Sequence, residues 1–414
     1  MLNYVQDLKK NFLPFWEEAM DEEFGGVFTC YTNLGDKRVS DKKYIWSQGR
    51  FLWLGCKLLE LQKQGDIELS EKWSYIVDKT YKFLEEHAIM SNNHIVFAVE
   101  RNGKQIEDQM DTSIFADCFY VLGCNAYADL NRSKHIFEHT MSIYHTIKKR
   151  VKSNDFRSEP YPIPESYRSH SVPMILINVA QELYDTAKKL KVNEQSQSAL
   201  LKDVEDFFCE IISLKEEDRI IEMYSGKNSN TLLERHVNPG HTIECAWFML
   251  HSIDSLEVKN LERYINDIEK LVKHALTIGW DKKYGGLYRF VDKYGEKPKG
   301  TLIGTAYEQL VLDTWDTKLW WPHAESLYST LLLYSLTKKK EWLQQYEKVK
   351  SYVFQTFPNE NKEIEEWVQI RDRKGDPLHQ VVALPVKDPF HIIRAYIKII
   401  HLFKGGERFA AWDS

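Results

Sequence analysis

The stretch Asp21-Glu-Glu-Phe-Gly-Gly-Val-Phe28 returns late in the chain as Asp281-Lys-Lys-Tyr-Gly-Gly-Leu-Tyr288. Each copy leads into an apolar helix. Lys43-Tyr-Ile-Trp-Ser-Gln-Gly-Arg50 follows the first and Lys318-Leu-Trp-Trp-Pro-His-Ala-Glu325 the second. A loop–helix unit repeated in order implies a solenoid or toroid of helix pairs, because one such unit cannot bury its apolar face alone. Residues 41–64, 71–88, 111–130, 133–150, 172–190, 196–213, 241–254, 258–277, 318–337, 340–356 and 388–403 carry apolar side chains at three- and four-residue spacing, which predicts helices. Phe51-Leu-Trp-Leu-Gly-Cys56 and Leu327-Tyr-Ser-Thr-Leu-Leu-Leu-Tyr334 are apolar round most of their circumference, so they must be buried on more than one side. Segments 196–213 and 258–277 carry one charged face and suit an outer layer. Short alternating pieces, His94–Gly103 with its Asn-Gly turn and Glu366–Gly375, read as small hairpins. The expected fold is all-α: one domain, 1–414, forming a closed barrel of inner and outer helices with short β-hairpin excursions at one end. Inner helices then present their N-terminal residues to a central cavity.

With 43% hydrophobic and 13% aromatic residues, a chain of 414 residues can bury a large core. Twelve Trp and 22 Tyr are numerous enough that several should line the cavity, where flat rings suit sugars. A net charge of −6, with no run of Lys and Arg longer than three residues (Lys338-Lys339-Lys340 is one), argues against non-specific nucleic-acid binding. No apolar stretch approaches about 18 residues, so no membrane span is expected. The N-terminus reads as an amphipathic helix start rather than a signal peptide. Six cysteines without a Cys-x-x-Cys pair fit reduced thiols in a cytoplasmic protein and carry no zinc signature. Phosphate-binding, dinucleotide-binding, nucleophile-elbow and His-Glu-x-x-His motifs are all missing.

Two segments carry the chemistry. Asn238-Pro-Gly-His-Thr-Ile-Glu244 puts His241 and Glu244 on one face at a helix start, and Asp388-Pro-Phe-His-Ile-Ile-Arg394 does the same for His391 and Arg394. Glu244 is placed to orient His241 or to hold a substrate hydroxyl, or else to cap its helix. Arg50, in an apolar helix, needs a partner or a polar cavity, and Glu325 is the natural partner. His323 lies two residues from Glu325 and points elsewhere, at most a substrate contact or a support behind one. Nothing in the spacing demands a metal. Two histidines and an arginine suit removal and return of a proton next to a carbonyl.

In order along the chain, Lys43–Arg50, Ser113-Ile-Phe-Ala-Asp-Cys-Phe-Tyr120, Val172-Pro-Met174, Asn238–Leu250, Gly279-Trp-Asp281, Lys318–Glu325 and Phe390–Arg394 resemble the blocks of the N-acylglucosamine 2-epimerase family. The resemblance spans nearly the whole chain. It implies an (α/α)6 barrel and interconversion of N-acetylglucosamine and N-acetylmannosamine through C2 deprotonation. It also implies catalytic roles for His241, His391, Arg50, Glu244, Glu325 and Arg394, with Tyr44, Trp46, Gln48, Asn238, Trp321 and His323 as substrate contacts. No cofactor is required, although such enzymes are often activated by ATP without consuming it, and a homodimer fits the family. Val172-Pro-Met174 stands where cellobiose 2-epimerases and mannose-type aldose–ketose isomerases carry a further histidine, which favours the N-acyl branch over those sister activities. A silent binding protein is disfavoured by the retained histidines, and a glycoside hydrolase by the want of a flanking acid pair. Pro389 replaces a cysteine of the mammalian members, and residues 359–387 depart from the family and are expected to shape the cavity rim.

Overall fold

Six helices with little polar surface can bury themselves only against one another, and they close a ring. In the computed structural model, which describes residues 2–227, 230–256, 261–379 and 386–405, these are α3 (Ile45–Lys63), α5 (Ile114–Leu130), α7 (Ser171–Lys189), α10 (Pro239–Ser255), α13 (Trp320–Thr337) and α15 (Phe390–Phe403). Each packs on the next, and α15 returns to α3. An outer layer backs them: α1 (Leu2–Asp7) and α2 (Leu13–Glu18), joined by a π-turn, then α4 (Lys72–His87), α6 (Lys134–Ser153), α8 (Glu194–Ser213), α11 (Leu261–Gly279) and α14 (Lys340–Thr356). The chain is an (α/α)6 barrel. Two short helices complete it, α9 (Leu232–Arg235) and α12 (Ala306–Thr314). The second opens with a Thr305/Glu308 capping box, a legible signal that the spacing argument passed over.

The predicted helices are all present. Their ends differ mainly because the residues ahead of α3 and α13, Lys43–Tyr44 and Lys318–Leu319, are extended and pair with strands. The expected start of α11 at 258 lies outside the described residues, as do 380–385 of the expected rim.

A crown of β-pairs gathers the inner helices' N-termini at one end. The segment before each inner helix pairs with the segment before the next. Lys43–Tyr44 pairs with Ala98–Val99, Ser113 with Ser158, Arg168–Ser169 with Met223–Tyr224, His236–Val237 with Val291–Asp292, and Lys318–Leu319 with Ile370–Arg371. The Lys387 N–H donates to the Thr29 carbonyl at 2.8 Å and closes the circle. The two expected hairpin turns are there, at 100–103 and 372–375, but each supplies one strand to this crown rather than standing alone.

The repeated sequence unit has a repeated support. Lys43 and Lys318, fully buried, donate to Asp21 (2.9 Å) and Asp281 (3.3 Å), and Arg101 and Arg373 cover the same two carboxylates from the hairpin tips. Buried charges persist only when paired and hydrogen-bonded in this way.

Candidate active site

The crown encloses a cavity of about 210 Å³. The N-terminal turns of the inner helices line it: Trp46 and Arg50 from α3, Phe115 and Phe119 from α5, Ser171, Met174 and Ile175 from α7, His241, Glu244 and Phe248 from α10, Trp320 and Trp321 from α13, and His391 from α15. Six inner helices turn their N-terminal dipole ends toward this end of the barrel, an arrangement that favours a negative charge.

His241 and His391 both rest against Trp321, with ring centroids 5.4 and 5.5 Å away. Each is pinned by a carboxylate. The Nδ1–H of His241 donates to Glu222 Oε1 at 2.6 Å, and that of His391 to Glu325 Oε1 at 2.7 Å. Carboxylates only accept, so both rings carry the proton on Nδ1 and keep Nε2 for chemistry. Their charge states diverge. Burial pushes the His391 imidazole down to about 3, with Arg50 and Arg394 adding to the effect against Glu244, so the ring is neutral. Burial acts on His241 too, but Glu222 overrides it and raises the imidazole above its ordinary value. Glu222 is itself buried, yet His241 and His170 hold it well below the usual carboxylate range.

Behind the wall, Arg394 binds Glu244 and donates to Glu325 Oε1 at 2.7 Å, while the Trp247 indole N–H donates to Glu325 Oε2 at 2.7 Å. Burial would lower the Arg394 guanidinium, but Glu325 and Glu244 raise it. Glu244, Glu325 and His391 offer donor atoms within 4.8 Å of one another, a grouping that could also hold a metal ion. The two carboxylates share Arg394 as their cation.

Several pairings differ from expectation. Arg50 binds Asp388, not Glu325, and its guanidinium lies 4.0 Å from the Phe119 ring centre. Asp388 also caps α15 by accepting from the Phe390 N–H at 2.7 Å. Glu244 neither orients His241 nor caps its helix. Glu222 orients the histidine, and the Asn238 side chain accepts from the His241 backbone. Of the expected substrate contacts, Trp46, Asn238 and Trp321 line the cavity, and Tyr44, Gln48 and His323 do not. Tyr44 packs edge-on against Phe97. Gln48 clamps the backbone of Val27 (2.8 and 2.9 Å), and His323 accepts from the Leu287 N–H (2.8 Å) while donating to the Leu319 carbonyl (2.6 Å). These two hold the same loop in the two repeats. They lie two residues past Trp46 and Trp321, hence on the far side of their helices.

Sequence reasoning missed Glu222, His170 and Asp388. A glutamate in the otherwise apolar Ile220-Ile-Glu-Met223 was the available signal for the first, and an Asp-Pro helix entry for the last.

Residues 26–395 match the family described as N-acylglucosamine 2-epimerase (GlcNAc 2-epimerase). The chain belongs to that family. It is 27% identical over 392 residues to the N-acylglucosamine 2-epimerase of Bos taurus, covering 92% of this chain and 86% of that one. It is 22% identical over 420 residues to the cellobiose 2-epimerase of Dictyoglomus turgidum, with 95% and 96% covered. Among solved structures, the cellobiose 2-epimerase of Bacillus thermoamylovorans superposes with a TM-score of 0.76 at 17% identity, over 97% of this chain and 98% of that one, a likeness of fold. A member of the N-acylglucosamine 2-epimerase family is an isomerase, acting on a sugar. No helix among its described residues is long and apolar enough to cross a membrane.

Proposed function

We propose that the chain interconverts N-acetylglucosamine and N-acetylmannosamine by inverting C2 of the open-chain sugar between His391 and His241. The observation that carries this reading is the pair of imidazoles, each fixed through Nδ1 to its own carboxylate against the same Trp321 ring and with proton affinities pushed in opposite directions. Neutral His391 takes the C2 proton on Nε2. The C–H electrons form the C1–C2 double bond, and the aldehyde oxygen becomes an enolate oxyanion. Arg50, which lines the cavity, and the converging helix starts stabilise that charge. Charged His241 then delivers its Nε2 proton to the other face of C2, and the carbonyl re-forms. Glu222, Glu325 and Arg394 keep the two rings in place.

The size and lining of the cavity favour the N-acyl substrate. About 210 Å³ falls below the roughly 300 Å³ at which pockets for drug-sized ligands begin, which suits one sugar ring better than two. Met174, Ile175 and Phe248 offer an apolar surface for an acetyl methyl group. The test is proton NMR in D2O with N-acetylmannosamine, with and without ATP, and with mannose, glucose and cellobiose in parallel. Deuterium at C2 of newly formed N-acetylglucosamine supports the reading, and a faster rate with unconsumed ATP supports activation. Ketose from mannose, or epimerisation of cellobiose alone, moves the enzyme to a sister activity.

A further inference from the structure

His170 is the last residue before α7. It is fully buried, and neither ring nitrogen has a hydrogen-bond partner within bonding distance. A buried polar group left in that state costs free energy, and native proteins keep few of them. Its Nδ1 stands 3.6 Å from Glu222 Oε2, just beyond hydrogen-bond length, while the other oxygen of the same carboxylate holds His241. The backbone fixes this placement, since the His170 N–H donates to the Glu222 carbonyl at 2.9 Å across the crown. One buried carboxylate is thus shared between two imidazoles whose ring centres are 6.5 Å apart.

We propose that His170 is a positioning residue for His241, acting through Glu222: by competing for the carboxylate it loosens the grip of Glu222 on the His241 proton, so that the proton can be delivered to carbon. Glu222 alone, buried beside one imidazole, would bind that proton too tightly for a good acid. When His241 has given its proton away, Glu222 is left anionic beside a neutral ring, and His170 needs to close only a few tenths of an ångström to donate to it. The other titratable or charged groups around His241 are Glu244, Arg289 and the neutral, buried His236, with the Tyr307 phenol near Glu222.

This inference rests on the reading of His241 as the proton donor, but its primary test does not need turnover. The His241 ring is titrated by ¹⁵N NMR in the sugar-free protein, in the unmodified chain and in His170→Phe, His170→Gln and Glu222→Gln. Losing His170 leaves Glu222 wholly to His241, so the His241 midpoint rises by at least about 0.5 unit, whereas Glu222→Gln removes the carboxylate and lowers it. With a substrate, the basic limb of kcat/KM moves in the same two opposite directions while KM stays within about twofold. An unmoved midpoint in both His170 variants, or a shift in the same direction as Glu222→Gln, overturns the proposal. If the variants fail to fold, the unmodified protein decides it. A His170 ring proton that moves to low field as pH rises through the His241 midpoint supports the shared carboxylate, and one that does not respond to that midpoint refutes it. Silence on every sugar with the opposite midpoint shifts intact would sink the proposed reaction and leave the shared carboxylate standing.

Discussion

His241 and His391 look alike in the sequence, each at the mouth of an apolar helix and each followed three residues on by a charged side chain. The fold makes them unequal. Burial pushes the His391 ring toward its neutral form, with Arg50 and Arg394 adding to the effect against Glu244, and its carboxylate partner is shared with Arg394 and Trp247. His241 faces a carboxylate whose other neighbour is an imidazole beyond bonding distance, and it keeps its proton. One ring is therefore ready to accept and the other to give. Replacing either with Ala should lower turnover at least about 10²-fold, the low end for positioned proton transfer. Steady-state rates read against folded-state circular dichroism check this, and near-normal turnover of both variants would end the two-base mechanism. Arg50 depends on Asp388 in a comparable way. That aspartate caps α15 with one oxygen and holds the guanidinium with the other, so the entry of a helix and the anion-binding arginine are set by the same side chain.

Between elements, α3 and α5 approach backbone to backbone. A Cβ placed on Gly49 would land on the carbonyl of Phe119, and one on Gly123 would meet the Gly49 carbonyl. The two backbones touch there because neither position carries a side chain. This contact holds Trp46 and Arg50 of α3 beside Phe115 and Phe119 of α5 in the cavity wall. Gly49→Ala should therefore destabilise the protein by about 1–3 kcal/mol, the usual cost of overpacking, despite the better helix propensity of alanine. Urea unfolding checks it, and a variant as stable as the parent would mean that the helices can part without cost. The crown adds rigidity at the same end. Its Asp–Lys–Arg groups sit under the two repeats, where Lys318 is pushed down to about 8 by burial yet stays charged beside Asp281.

For the whole molecule, burial of neutral histidines couples stability to pH. His323 serves only as a loop clamp, and burial lowers it to about 3, well under the value of about 6.5 it regains on unfolding. Below about pH 6.5 the unfolded chain binds a proton there that the native chain refuses, so this stabilisation is whole above that pH and is lost as pH falls toward 3. The stability difference between the parent and His323→Gln should therefore shrink by roughly 1.4 kcal/mol per pH unit across that window. Paired urea titrations between pH 7 and 4 measure it, and a constant difference would mean that His323 titrates as an ordinary histidine. The helices, their division into inner and outer layers, the repeated loop–helix unit and the hairpin ends were legible in the sequence, because periodicity and Gly-Gly or Asn-Gly turns are local properties of the chain. So were His241, His391, Arg50, Glu244, Glu325 and Arg394 as members of one polar cluster, since charged and imidazole side chains near the starts of apolar helices must either enter a cavity or pair with one another. Who pairs with whom was decided by the tertiary structure. Glu222 reaches His241 from the crown, Asp388 takes Arg50 from Glu325, and Gln48 and His323 turn away from the cavity to brace a loop. Those choices depend on how the six inner helices are rotated about their axes and on which loop lies over each helix start, and ring closure through contacts distant in sequence sets both.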